Sequence, residues 1–251
     1  MSDNTNKSVI NIELPDSIDT AVKNLTEKPT ATLGETISDC MFLVFGGISQ
    51  KAALKRVRYA VEMDKFKNEL EEKVNAIPEE SRLEPNTHVI CTALDNMRFC
   101  VEEKELREMF STLIANSVNA EKTEYVHPSF GEIIKQMTPL DATILKEMST
   151  KRRIPVLVVK CKFENGGEIA LTNNLIWNDW GNINRVAASL DNLSRLELIN
   201  IRLEDHYTDE AAYTDLKNET HVKNVIELCG KRCPEGGELS FTQGLIKITD
   251  F

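Results

Sequence analysis

The chain has 251 residues, 41% hydrophobic and 28% charged, enough length and apolar content for one large buried core or two small ones in a soluble globular protein. Its balance of 30 basic against 40 acidic residues gives −10, and both parts on either side of Pro139 are acidic, −7 for 1–139 and −3 for 140–251. That disfavours a protein held on nucleic acid mainly by counterion release. No apolar segment with a cleavage site opens the chain, so a signal peptide is not expected, and the six cysteines are read as reduced thiols in a cytoplasm.

Residues 1–14 are polar and read as a tail. From Pro15 the spacing of Ile18, Val22 and Leu25 predicts a short amphipathic helix ending before Pro29. Glu35 to Ile48 is the most apolar window, carrying Ile37, Cys40, Met41, Phe42, Leu43, Val44 and Phe45. It falls short of the ~20 apolar residues a membrane span needs, and Gly46-Gly47 stops it, so a buried helix is favoured over a membrane-surface one. Ala52–Val74 reads as a long charged helix with interleaved lysines and glutamates. Pro85 opens another helix through Cys100, and Glu102 starts one whose apolar stripe runs from Leu106 through Phe110, Leu113 and Ile114 to Val118.

The second part changes character. Ile154–Phe163 is β-branched and is followed by Glu164-Asn-Gly-Gly167 and Glu168–Leu171, the pattern of a β-hairpin. Asn182–Leu196 is amphipathic, Leu198–Ile201 and Leu239–Ile248 are strand-like, and a polar insertion, 204–234, lies between them with a helical stretch at Glu219–Leu228. This order of a helix at Leu140–Ser149, a helix at 182–196 and a two-strand wing resembles a winged helix. The fold expected is therefore mainly α: a helical domain over 15–137, then an α+β winged-helix-like domain over 138–251.

Three short motifs stand in the stretch from Phe110 to Asp141: Phe110-Ser-Thr-Leu113-Ile-Ala115-Asn116, His127-Pro128-Ser-Phe130-Gly, and Thr138-Pro139-Leu-Asp141. Together they resemble the signature of the bacterial and phage-borne abortive-infection alpha family, which is tied to phage defence. Phe110, Leu113, Ala115 and Asn116 match its helix motif, with Ser117 where the family usually has a small alanine; Pro128 and Phe130 match the second. These residues are largely apolar or structural in type, so the resemblance implies a fold and a defence role and identifies no active site.

Read by their own chemistry, the motif residues also favour structural roles. Asn116 lies in the middle of an apolar stripe near a helix end and is expected to latch the 119–127 loop through its amide. His127 could serve as an acid/base group, yet no nucleophile or paired carboxylate stands at an obvious spacing, and Pro128 suits a first helical position. His221, Cys229 and Cys233 give three potential zinc ligands, and His88 with Cys91 two more, where a structural zinc site needs four; no metal is expected. Phosphate-binding glycine loops are lacking, and Lys-Arg-Arg at 151–153 is read as a helix C-terminal cap.

The remaining candidates lie on the helix at 182–196. Arg185, Arg195, Asn182 and Asn184 are the groups that could read base edges, yet Asp191 leaves one net positive charge there. The functional expectation is a non-enzymatic cytoplasmic phage-defence protein that binds a protein partner or itself and uses no cofactor. A winged-helix DNA-binding regulator is the alternative. A membrane-acting effector using 37–48 is the second alternative, with membrane contact not expected in the resting state.

Overall fold

The computed structural model describes residues 13–27, 32–45, 53–151, 154–177 and 180–249. The chain divides into two compact units, 1–139 and 140–251.

The first unit is helical. Its elements are α1 (Ile18–Glu27), α2 (Leu33–Phe45), α3 (Ala53–Asn75), α4 (Thr87–Met97), α5 (Lys104–Ser117) and α6 (Phe130–Lys135). Local chemistry sets the ends. Thr32 and Glu35 form a capping box at the start of α2, with Thr32 N–H donating to Glu35 Oε2 at 2.9 Å and Glu35 N–H to Thr32 Oγ1 at 3.3 Å. Asn86 caps α4 by accepting from Val89 N–H at 3.3 Å, so that helix begins after Pro85 rather than at it. Within α3, Phe66, Leu70 and Val74 recur every four residues and are all buried. They meet the stripe of α5, where Leu106, Phe110, Leu113 and Ile114 are buried, and α4 adds Ile90, Leu94 and Met97.

In the second unit α7 (Pro139–Met148) precedes β1 (Ile154–Phe163), β2 (Glu168–Ala170), α8 (Ile183–Arg195), β3 (Ile199–Arg202), α9 (Ala211–Asn218), α10 (Thr220–Arg232) and β4 (Gly237–Ile248). The four strands form one antiparallel sheet in the order β2-β1-β4-β3. The Asn165-Gly166 turn joins β1 and β2 as expected. Gly166 takes φ +83°, Phe163 accepts Gly166 N–H at 2.9 Å, and Asn165 Oδ1 accepts Gly167 N–H at 2.9 Å. Strand β1 pairs β4 from Ile154↔Ile246 to Phe163↔Gly237.

The insertion between β3 and β4 packs onto the sheet. Leu216 of α9 and Val222 and Cys229 of α10 share a core with Leu157, Val159 and Leu175. Tyr213, fully buried, donates its hydroxyl to Gly244 O at 3.0 Å and accepts Tyr207 N–H at 3.1 Å. Gly244 is required there: a Cβ would stand 2.6 Å from Arg202 O and 2.9 Å from Leu203 Cα, a backbone approach no side chain permits. The short helix α9 was not legible in its polar sequence.

Candidate functional site

Helix α8 carries the side chains expected to read a partner. Its apolar face, Val186, Ala187, Leu190 and Leu193, is buried, which leaves the polar residues Asn184, Arg185, Asp191 and Arg195 exposed. The structure engages much of the helix's polar set within the fold. Asn182 is the N-cap, its Oδ1 accepting Asn184 N–H at 2.9 Å. Asn192 Nδ2 donates to Asp141 Oδ2 at 2.9 Å, and Asn192 Oδ1 accepts from Arg195 Nε at 3.1 Å and Nη2 at 2.8 Å. Asp141, 1% exposed in the first turn of α7, thus anchors a chain of polar groups that ends at the Arg195 guanidinium. A carboxylate near a helix N-terminus is favoured by the exposed N–H groups there. Of the four candidates, Asn182 and Arg195 are held by neighbours on α8, and Arg185 and Asn184 face solvent.

The motif residues of the first unit range from fully buried to exposed. Phe110 is fully buried, Leu113 and Ala115 nearly so. Asn116 is half-buried and offers its main-chain carbonyl to Asn119 N–H at 3.2 Å. The 119–127 loop is tied down by other groups: Asn119 Oδ1 accepts Glu121 N–H at 3.0 Å, Thr123 Oγ1 donates to Ser117 O at 3.2 Å, and Ala120 N–H reaches Ser81 O at 2.8 Å. That replaces the amide latch expected of Asn116.

His127 is exposed, and its Nδ1 lies 2.7 Å from Ser129 Oγ and accepts Ser129 N–H at 3.2 Å. An N–H donated to Nδ1 requires that nitrogen to be an acceptor, so the ring closes the turn as a capping side chain would. Phe130 N–H bonds His127 O at 3.0 Å, so Pro128 and Ser129 form an opening turn and α6 begins at Phe130, two residues later than expected. Phe130 stacks obliquely on His127 with ring centroids 6.3 Å apart. For Thr138-Pro139, α7 does begin at the proline.

Two of the zinc candidates are engaged elsewhere. His221 Nε2 lies 3.1 Å from Ile176 O, and Cys233 is disulfide-bonded to Cys161. Among the described residues no group of three His, Cys, Asp or Glu side chains could hold a metal ion. The disulfide corrects the expectation of six reduced thiols, and 72 residues separate its cysteines, so no spacing signalled it. Cys40, Cys91, Cys100 and Cys229 are free.

In the apolar window, Ile37, Cys40 and Met41 are fully buried and Leu43 is 37% exposed; Gly46, Gly47 and Ile48 lie outside the described residues, as do Arg152 and Arg153 of the basic cluster. Among the described residues no helix is long and apolar enough to cross a membrane. Two polar clusters escaped the sequence reading because their members are 36 to 45 residues apart. Arg107 bonds Glu62 and Glu69, and Asn96 bonds Glu132 and Lys135. Beside the second, Phe99 is 68% exposed with the Arg98 guanidinium 4.8 Å from its centroid.

A family model described as abortive infection alpha matches residues 58–251, which takes in most of α3, everything from α4 to β4, and all three short motifs. No curated protein and no solved structure matches the chain.

Proposed function

This chain belongs to the abortive infection alpha family, and we propose from that membership that it is a phage-defence protein acting by binding, with a protein as its partner and the second unit as its binding module. A winged-helix-like reading of that unit is supported by the strand order β1-β4-β3, by α7 before β1 and α8 before β3, and by the antiparallel β3–β4 pair standing where a wing stands. The insertion of α9 and α10 and the extra strand β2 are its departures.

One observation carries the choice of a protein partner over DNA. Of the polar groups of α8 that could read bases, Asn182 is engaged as a cap and Asn192 and Arg195 in the chain to Asp141, while Asn184 and Arg185 face solvent. With Arg185 the exposed cation outside that chain and Asp191 also exposed on the helix, α8 has little with which to grip phosphates. Burial of Ile37, Cys40 and Met41 in α2 speaks against a resting membrane anchor. The test is a plaque assay in bacteria expressing the full chain or an Arg185→Glu, Asn184→Ala variant whose melting is unchanged. We expect the wild type to lower phage plating and the surface variant to lose protection. Unaltered plating by the wild type across a broad phage panel would sink the defence reading. A salt-sensitive, sequence-specific duplex complex lost with Arg185 would move the second unit to DNA.

A further inference from the structure

The bridge between Cys161 and Cys233 has no part in the proposed binding role, and its surroundings are built around two sulfurs. The Cα atoms are 5.7 Å apart, inside the range disulfides adopt. Cys161 is fully buried on β1, and Cys233 is half-buried as the C-cap of α10, its N–H bonding Cys229 O at 2.9 Å. Gly237 closes the third side. A Cβ there would overlap Cys161 Sγ and stand 3.0 Å from Cys233 Sγ and 3.1 Å from Phe163 Cε1, so the sulfurs occupy the space a side chain would fill.

The bridge is not what holds the sheet together. Strands β1 and β4 pair from Ile154↔Ile246 to Phe163↔Gly237 without it, and Val222 and Cys229 seat α10 on Leu157 and Val159. What the bridge adds is confined to the last turn of α10, Cys229 to Cys233, and the turn Pro234–Gly237, where Gly237 N–H bonds Pro234 O at 3.0 Å. A cross-link whose loss disturbs one turn can open and close in a folded protein.

We propose that Cys161 and Cys233 are a reversible thiol–disulfide exchange site whose reaction partner is a dithiol, and that opening it frees the last turn of α10 from β1. Access sets the order of events. A thiolate of the dithiol attacks the half-buried Cys233 Sγ, and the electron pair of the breaking S–S bond passes to Cys161 Sγ, which takes a proton. The second thiol of the partner then attacks the mixed disulfide and expels Cys233, which is protonated in turn. The protein gains two electrons and two protons, and the dithiol becomes a disulfide. The disulfide form of the same partner closes the bridge by the reverse steps. Burial raises the thiol pKa at Cys229, and at Cys100 to about 11, which leaves these thiols poor competitors for exchange.

The experiment uses the native full chain, equilibrated with graded ratios of reduced to oxidised dithiothreitol. Free thiols are trapped with a maleimide and mapped by peptide mass spectrometry. Cys161 and Cys233 should become labelled together in one two-electron transition without denaturant. Hydrogen exchange should rise by about 10-fold or more at 229–236 and stay unchanged in α8. In Cys161→Ala, glutathione disulfide should modify Cys233 at least about 10-fold faster than it modifies Cys161 in Cys233→Ala. Gly237→Ala, checked for an intact fold, should stay reduced where the wild type closes. Labelling only after unfolding would make the bridge purely structural. Both cysteines remaining free in excess glutathione disulfide would show that it does not form. Either result overturns the proposal. The wild-type titration does not depend on whether the variants fold.

Discussion

Arg107 is the side chain on which the first unit has most at stake. It is 4% exposed, and its guanidinium donates to Glu62 Oε2 at 2.6 Å, to Glu69 Oε1 at 3.1 and 3.0 Å, and to Val101 O at 3.0 Å, joining α3 to α5. Arg107→Ala should cost about 3–5 kcal/mol in urea unfolding, because it leaves two carboxylates and a carbonyl facing a vacated site. Arg107→Lys should recover only part of that, since one ammonium cannot span both carboxylates as the planar fork does. The same contacts predict an acid limb. Glu62 is held below the usual carboxylate range, first by its hydrogen bond from Lys65 and then by Arg107, and Glu132 likewise by Asn96 and Lys135. A carboxyl whose folded pKa is depressed stabilises above its unfolded value, about 4.3 for glutamate, and the gain is lost as pH falls through the folded value. Melting temperature should therefore drop below about pH 4.3, and the drop should be shallower in Arg107→Ala. An equally steep acid limb in that variant would show that Glu62 owes nothing to Arg107.

Among the elements, α5 and α2 both bury apolar sequence, and each can be tested alone. Phe110 lies at the centre of the α5 stripe and is fully buried, so Phe110→Ala should cost about 3–5 kcal/mol in thermal or urea unfolding. An unchanged melting point would place the ring in a loose site and invite a binding role for it. Helix α2 is buried through Met41 and opens toward Leu43. Uncovering its face costs about 25 cal/mol per Å² of apolar surface, and the net charge of −10 adds repulsion from anionic lipid. The purified chain should not sediment with anionic liposomes. Stable binding that Phe42→Asp abolishes would instead make α2 an anchor. For α8, Arg185→Ala with Arg195→Ala tests the DNA alternative. Wild-type affinity for duplex DNA should be weak and non-specific at physiological salt, and a specific nanomolar shift lost in the double variant would overturn the preference for a protein partner.

At the scale of the whole molecule, what the sequence made legible was local. The Asn165-Gly166 turn, the stripe of α5 and Pro139 at the head of α7 were readable because a turn, a period or a cap is encoded within a few neighbouring residues. Asp141 with Asn192 and Cys161 with Cys233 were not, because 51 and 72 residues separate the partners and one sequence carries no signal for such pairings. Tyr213 hid for a related reason: a tyrosine in a polar insertion looks exposed until β4 supplies the Gly244 carbonyl that takes its hydroxyl. The candidate site fared likewise, since amphipathic spacing located α8 and only the fold showed Asn182 and Asn192 engaged. The second unit also makes a prediction of its own. It has a core in Leu157, Val159, Leu175, Leu216, Val222 and Cys229 and a four-stranded sheet. These are the requirements of an independently folding domain. A fragment spanning residues 138–251 should therefore unfold in urea as one cooperative transition, with a slope of about 1–3 kcal/mol/M. Reduction with dithiothreitol should lower its midpoint, because opening the bridge returns loop entropy to the unfolded chain. A fragment that binds a hydrophobic dye and lacks near-ultraviolet dichroism would show instead that this core forms only with the preceding part of the chain attached.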